Sequence, residues 1–216
     1  HAAHLEQVVG ARLEQAGGDR IAPDDVFLGE DRRAGGDASD ERQPERLLDA
    51  DAAGGAVEDL DHPLALKRAQ MFLKDAGFTA GIDGCRGLDH GAWSPLLYMY
   101  PRADVPVVQI SVQPALGPRH HVNLGKAVRK LSEEGVLIIG SGHLTHNLRD
   151  WARGQGKPEP YAREFQAWVF EKLKQKDVES LVEYRSRSPH GARAHPTDEH
   201  FLPLFFALGA ASEDAK

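Results

Sequence analysis

Apolar residues recur along this chain at helical spacing in some stretches and in short strand-like runs in others, and the two kinds alternate. Behind Pro63, a residue suited to a first helical turn, Leu66, Ala69, Leu73 and Ala76 share one face until Gly77 stops the stripe. Phe78 to Ile82 then has the composition of a short strand, and Val105 to Val112 of another, with Pro106 confining its ladder to the later residues. Asn123 is placed to cap a helix whose Leu124, Ala127, Val128 and Leu131 lie together, with Gly135 as its terminator. Val136 to Ile139 is a continuous apolar run of the length expected for a strand buried on both faces. Pro160 starts a helix burying Phe165, Trp168, Val169 and Leu173, and a last helix is expected over about Asp198 to Leu208, with His200 near its first turn. Alternation of this kind predicts an α/β fold with a central, mostly parallel or mixed sheet flanked by helices. No fixed-period repeat is present.

Charge divides the chain near residue 60. Residues 1–60 carry fifteen Asp or Glu, six Arg and no Lys, for a net charge of −9, whereas the remainder is about +2 and the whole chain −7. Of the aromatic side chains, only Phe27 lies upstream of that boundary. A segment this acidic and this poor in large side chains buries little apolar surface, so 1–60 is expected to be weakly ordered, with a short helix over 5–15 and loop from 16 to 60. Its Ala, Gly, Asp and Arg bias also suits a GC-rich gene read in a wrong frame or from a misplaced start. Residues 61–216 are expected to form one incomplete domain. A single cysteine, Cys85, excludes an internal disulfide framework. With no apolar run of membrane-spanning length and no signal-peptide pattern, the chain is expected to be soluble and cytoplasmic. The balanced charge after residue 60 leaves no basic footprint for nucleic acid, and nothing in the pattern sets an oligomeric state.

Candidate chemistry concentrates on histidines. After Val136 to Ile139 the chain runs Gly140-Ser-Gly142 and then presents His143 and His146, at the strand end where open α/β sheets place ligands. A second cluster, Ala194-His-Pro-Thr-Asp-Glu-His200, precedes the apolar run from Phe201 to Leu208. A third histidine, His90, sits in Gly87-Leu-Asp-His-Gly-Ala-Trp93 beside Asp89, whose carboxylate is a candidate for fixing its tautomer. Other site classes fit less well. Gly140-Ser-Gly142 has no P-loop lysine, Ser141 is not in a Gly-x-Ser-x-Gly elbow, and one cysteine cannot build a multi-cysteine zinc site. Asp198 and Glu199 suit a helix start, where carboxylates complement the dipole. His62, His120, His121 and His190 are expected at the surface or at helix caps. Trp93 and Tyr98 could stack on an aromatic ring, although core packing is the commoner use of such residues.

Leu88-Asp-His-Gly91, the Ile139-Gly-Ser-Gly142 turn with Thr145-His-Asn147, and His195-Pro-Thr-Asp-Glu-His200 occur here in an order that resembles the class III extradiol ring-cleavage dioxygenases, in their DOPA 4,5-dioxygenase branch. The resemblance covers about residues 61–216. Upstream the family carries a His-Gly-Ser-Pro-like loop and a second histidine, each after a strand, and neither matches this sequence. The resemblance implies an enzyme inserting O2 into a catechol-type aromatic at a non-haem metal, Fe(II) for oxygenase chemistry, with Zn(II) as the other candidate metal. It makes His200 a metal ligand, and His146 the acid/base beside the metal or itself a ligand. It also places His90 facing substrate or oxygen in a catalytic role. Asn147 is expected to orient His146 and His143 to line the substrate cleft, while His195, held extended by Pro196, is expected either to support the ligands from behind or to bind substrate. Because two expected ligands are missing, weak iron binding and poor turnover are expected of this chain. A non-catalytic remnant of the fold, or a zinc-binding protein without oxygenase activity, are the competing readings.

Overall fold

A computed structural model of the protein describes residues 4–5, 26–30, 62–83, 88–102, 107–153 and 159–212. Helix α1 (His62–Asp75) buries Leu66, Ala69 and Leu73, the stripe its spacing predicts. It ends in a Schellman turn: Gly77 takes φ 87°, its N–H donates to the Lys74 carbonyl, and the Phe78 N–H donates to that of Leu73. The chain is thereby aimed into strand β3 (Ala80–Asp83).

Three strands form a mixed sheet in the order β3-β2-β4, where β2 is Val26–Glu30 and β4 is Val108–Ile110. β2 pairs in parallel with β3, Val26 opposite Ala80, and antiparallel with β4, Leu28 opposite Ile110. The strand at 26–30 corrects the expectation of loop from 16 to 60. A Val-Phe-Leu run too short to register in the composition of its segment is stabilised as a strand by backbone pairing on both sides. β1 (His4–Leu5) pairs antiparallel with β5 (Gly142–His143). The rest of the helix expected over 5–15, and the remainder of 1–60, lie outside the described residues.

The other elements are helical: α2 (His90–Met99), α3 (Gly117–Val128), α4 (Lys130–Glu133), α5 (Leu148–Arg153), α6 (Pro160–Lys174), α7 (Val178–Val182), α8 (Tyr184–Arg187), α9 (Gly191–Ala194) and α10 (Leu202–Ala210). The result is a helix-rich, mixed α/β fold. Asn123 does not cap α3. It is exposed within that helix, which begins at Gly117 because Pro118 suits its first turn. Gly135, with φ 84°, does end α4, in a second Schellman turn. Helix α10 starts at Leu202 rather than Asp198, so His200 lies in the turn before it.

Val136 to Ile139 is the main departure from expectation. The segment belongs to no strand, Val136 and Leu137 are exposed, and Ile138 and Ile139 are only half-buried. It lines one wall of an apolar cavity of about 330 Å3, with Val108 and Ile110 of β4, Leu96 of α2 and Phe206 of α10 on the others. A strand buried on both faces needs neighbours on its hydrogen-bonding edges as well as over its faces, and among the described residues no strand pairs with this segment.

The core has two foci. α3 and α10 cross at very close range through two glycines: a Cβ on Gly125 would lie 2.0 Å from the Phe206 carbonyl oxygen, and one on Gly209 would lie 2.0 Å from that of Val122. The second focus is aromatic: Phe165 of α6 and Tyr184 of α8 meet the ring of His195 edge to face, Phe201 stacks on it, and Phe205 packs edge to face on Phe201. This aromatic block underlies the loop that carries Glu199 and His200.

Candidate metal centre

Two backbone segments meet to form the site. The first, 142–147, follows the Gly140-Ser141-Gly142 turn; the second, 194–200, links α9 to α10. Main-chain bonds lace them together, the His143 N–H donating to the His200 carbonyl (2.8 Å) and the His146 N–H to that of Ala194 (2.8 Å). His195 adds a side-chain stitch, its Nε2–H donating to the Leu144 carbonyl at 2.9 Å. Gly140 is required for the approach, since a Cβ there would lie 2.4 Å from the Pro203 carbonyl oxygen.

This lacing puts the rings of His146 and His200 3.6 Å apart, centroid to centroid, with His143 at 5.6 Å from the first and 5.4 Å from the second. Glu199 completes the group: one ligand atom from each of His146, Glu199 and His200 fits within a mutual separation of 4.8 Å. Burial, then the neighbouring His146, push His200 down to about 4, and burial also lowers His146. Burial acts to raise Glu199, but a hydrogen bond from the Thr197 hydroxyl and the nearby imidazoles outweigh it, and the carboxyl falls below its ordinary value. Near neutral pH the cluster therefore holds two neutral imidazoles and one carboxylate, the protonation states in which these groups ligate a metal. Two imidazole nitrogens and one carboxylate oxygen also make a donor set associated with non-haem Fe(II), and one that Zn(II) accepts. The residues present fit a divalent metal.

His90 opens α2 at the exposed edge of the cluster, close enough to His200 for its charge to act on that ring. Its turn is held from below by buried side chains. The Gln109 Oε1 accepts the Asp89 N–H (2.8 Å), its Nε2 donates to the Asp89 carboxylate (3.3 Å), and the Ser141 hydroxyl donates to the Gly91 carbonyl (2.9 Å).

Several expected roles change. His195 is fully buried, stacked 4.6 Å from the Phe201 ring, so it supports the loop from behind and presents no surface to a substrate. Of its two expected places, support behind the ligands is the one this burial fits, because the turn after α9 directs its ring into the aromatic block and away from the cleft. Asn147 does not orient His146. Its Nδ2 donates to the Arg193 carbonyl and the Asp150 carboxylate, and its Oδ1 accepts the Asp150 N–H, which caps α5. His121 is buried rather than superficial, with Nδ1–H donated to the Gly117 carbonyl and Nε2 accepting the Gln113 N–H. Tyr98 is 84% exposed and no part of a core. Glu199 was missed because a carboxylate at an apparent helix start has an ordinary explanation; its adjacency to His200 was the available signal.

Residues 61–216 match the family model described as the catalytic LigB subunit of aromatic ring-opening dioxygenase. The chain belongs to the LigB family. Within that family it is 44% identical over 155 residues to a protein of Beta vulgaris named 4,5-DOPA dioxygenase extradiol, covering 71% of this chain and 58% of the relative. A protein of the same name from Escherichia coli K12 is 40% identical over 129 residues, 57% of this chain and 47% of that one. The chain thus spans less than two thirds of the length of these LigB relatives. Among solved structures, that of the uncharacterized protein JW3007 from Escherichia coli K12 has the same fold, with TM-score 0.66 and 30% identity over 89% of this chain and 72% of that one. No helix among the described residues is long and apolar enough to cross a membrane.

Proposed function

We propose that this LigB-family chain is an extradiol ring-cleavage dioxygenase, inserting O2 into a catechol-type aromatic at a non-haem Fe(II) held by His200 and Glu199 with His146 beside them. The observation that supports this most directly is the convergence of His146, Glu199 and His200 from two separate segments into one set of ligating atoms. A bound Fe(II) would supply a Lewis-acidic, redox-active centre at which a catecholate and dioxygen are brought together. The protein supplies the rest.

His146 is neutral because burial lowers its pKa, so it has a free nitrogen lone pair to accept a catechol hydroxyl proton and can return that proton later in the reaction. His90, on the exposed rim, would face the substrate, and His143 lies beside the cluster. Zn(II) would occupy the same donors without redox chemistry. The mutual 4.8 Å separation also supports a second reading of His146, as a metal ligand.

Metal content measured beside oxygen uptake with a catechol tests both readings. His200→Ala should empty the site. His146→Ala should retain much of the metal while suppressing ring cleavage. If His146→Ala also empties the site, His146 is a ligand; if the Fe(II)-loaded parent consumes no oxygen with any catechol, or both variants stay active, the proposed activity or its site assignment is wrong.

A further inference from the structure

We propose that Tyr184, Arg185 and Asp198 form a brace that positions Glu199 and His200 and so sets the metal affinity of the site; this rests on the metal reading above. Asp198 is the pivot. Its backbone carbonyl accepts the N–H groups of Phe201 (2.8 Å) and Leu202 (3.1 Å), which starts the turn into α10. Its carboxylate is tied to α8, accepting the Tyr184 hydroxyl at 2.8 Å and pairing with Arg185 at 3.3 Å. Arg185 holds the preceding stretch as well, donating to the carbonyls of His195 (2.7 Å) and Pro196 (3.1 Å).

The donors are thus bracketed. On one side the chain is pinned at 195, 196 and 198; on the other Phe201 is buried in the aromatic block. Between these anchors lie only Glu199 and His200, each one α-carbon step of about 3.8 Å from its neighbour, so their backbone has little freedom once both ends are fixed. Tyr184 is fully buried, and its ring packs 4.8 Å from that of Phe201. Its hydroxyl spends the single polar atom of that side chain on Asp198, a use that ring packing alone does not require. Groups that hold a ligand segment in this way govern how much ordering the metal must impose; loss of a partner bonded directly to a ligand typically costs ten- to a hundredfold in affinity, and a brace acting through the backbone is expected at the lower end of that range.

The test uses Zn2+ and Co2+ alone, titrated into the metal-stripped full chain. Tyr184→Phe keeps the ring and removes only the hydroxyl; Asp198→Ala removes the pivot, and Asp198→Asn restores an acceptor oxygen. Leu66→Ala, a core truncation on α1, controls for general loss of stability. Both Tyr184→Phe and Asp198→Ala should raise the Zn2+ dissociation constant about tenfold and alter the Co2+ absorption of the saturated, folded protein. Asp198→Asn should recover most of the affinity that Asp198→Ala loses, and Leu66→Ala should change neither readout while lowering the melting temperature. Zn2+ affinity and Co2+ spectrum in Tyr184→Phe equal to those of the parent overturn the brace and leave the metal site standing. A parent chain that binds neither ion overturns the metal reading and the brace together.

Discussion

Acidification from pH 7 to pH 5 should remove about 4 kcal/mol of folding stability through two buried histidines that lie away from solvent. Burial pushes His121 down to about 4, partly opposed by its bond to the Gly117 carbonyl, and His195 down to about 3, partly opposed by its bond to that of Leu144. Both folded-state values lie below the unfolded value near 6.5. Each histidine therefore contributes stability that is fully present above that unfolded value and lost as pH falls towards the folded one. At pH 5 the unfolded chain has nearly completed its protonation while both folded imidazoles remain neutral, which costs about 2 kcal/mol for each, and the result scarcely depends on whether the folded value is 3 or 4. Half-exposed His200 shifts in the same direction. Against a typical total of about 5–15 kcal/mol the loss is large, and at a urea slope of roughly 2 kcal/mol per molar it lowers the unfolding midpoint by about 2 M. Urea titrations at half-unit steps, with a chelator present so that metal release does not add to the slope, measure it directly. His121→Gln and His195→Gln remove the titrating groups, and each should reduce the loss between pH 7 and 5 by about 2 kcal/mol, whatever it does to stability at pH 7. A midpoint that stays constant between pH 7 and 5, or a parent slope preserved in both variants, would refute the assignment of these two rings as buried and neutral.

At the α3/α10 crossing, Gly209→Ala puts a methyl against the Val122 carbonyl with only backbone to yield, so its cost should reach or exceed the top of the ~1–3 kcal/mol usual for overpacking, read from denaturant midpoints. Leu137→Lys should change stability by no more than about 0.5 kcal/mol, because Leu137 is 62% exposed; a loss of several kcal/mol would mean that 136–139 is packed on both faces after all.

Much of the fold was legible wherever a local signal and the tertiary context agree. The α1 stripe ends at Gly77 and α4 ends at Gly135 because a left-handed residue closes a Schellman turn, and glycine adopts that conformation without a Cβ penalty. Pro160 marks the start of α6 for an equally local reason. Errors arose where neighbours decide. Four apolar residues in a row predict burial, but nothing in Val136 to Ile139 records whether another strand lies alongside. Likewise 26–30 is a strand through pairing with β3 and β4, which the acidic composition around it conceals. Asn123 has the side chain of a cap, but Pro118 five residues earlier starts the helix sooner.

For the candidate site, sequence and geometry divide the work differently. The motif order pointed to His143, His146 and His200, and the structure brings them together; His90 stands at their edge, and His195 turns away into the core. Residue type alone could not separate these cases, since a histidine beside a proline reads the same whether its ring faces a cleft or a cluster of phenylalanines. The difference is set by which groups surround each ring. His195 has one nitrogen bonded to Leu144 and aromatic faces on its other sides, an environment that suppresses its charge and fixes a loop, whereas His200 has His146 and Glu199 within reach and part of its ring open to solvent. Both pKa values fall, yet only His200 has donors beside it to share a cation. Burial is the main cause of the lowered pKa in both cases, so the shift alone does not separate a supporting ring from a ligand, and the arrangement of neighbouring donor atoms is what distinguishes them.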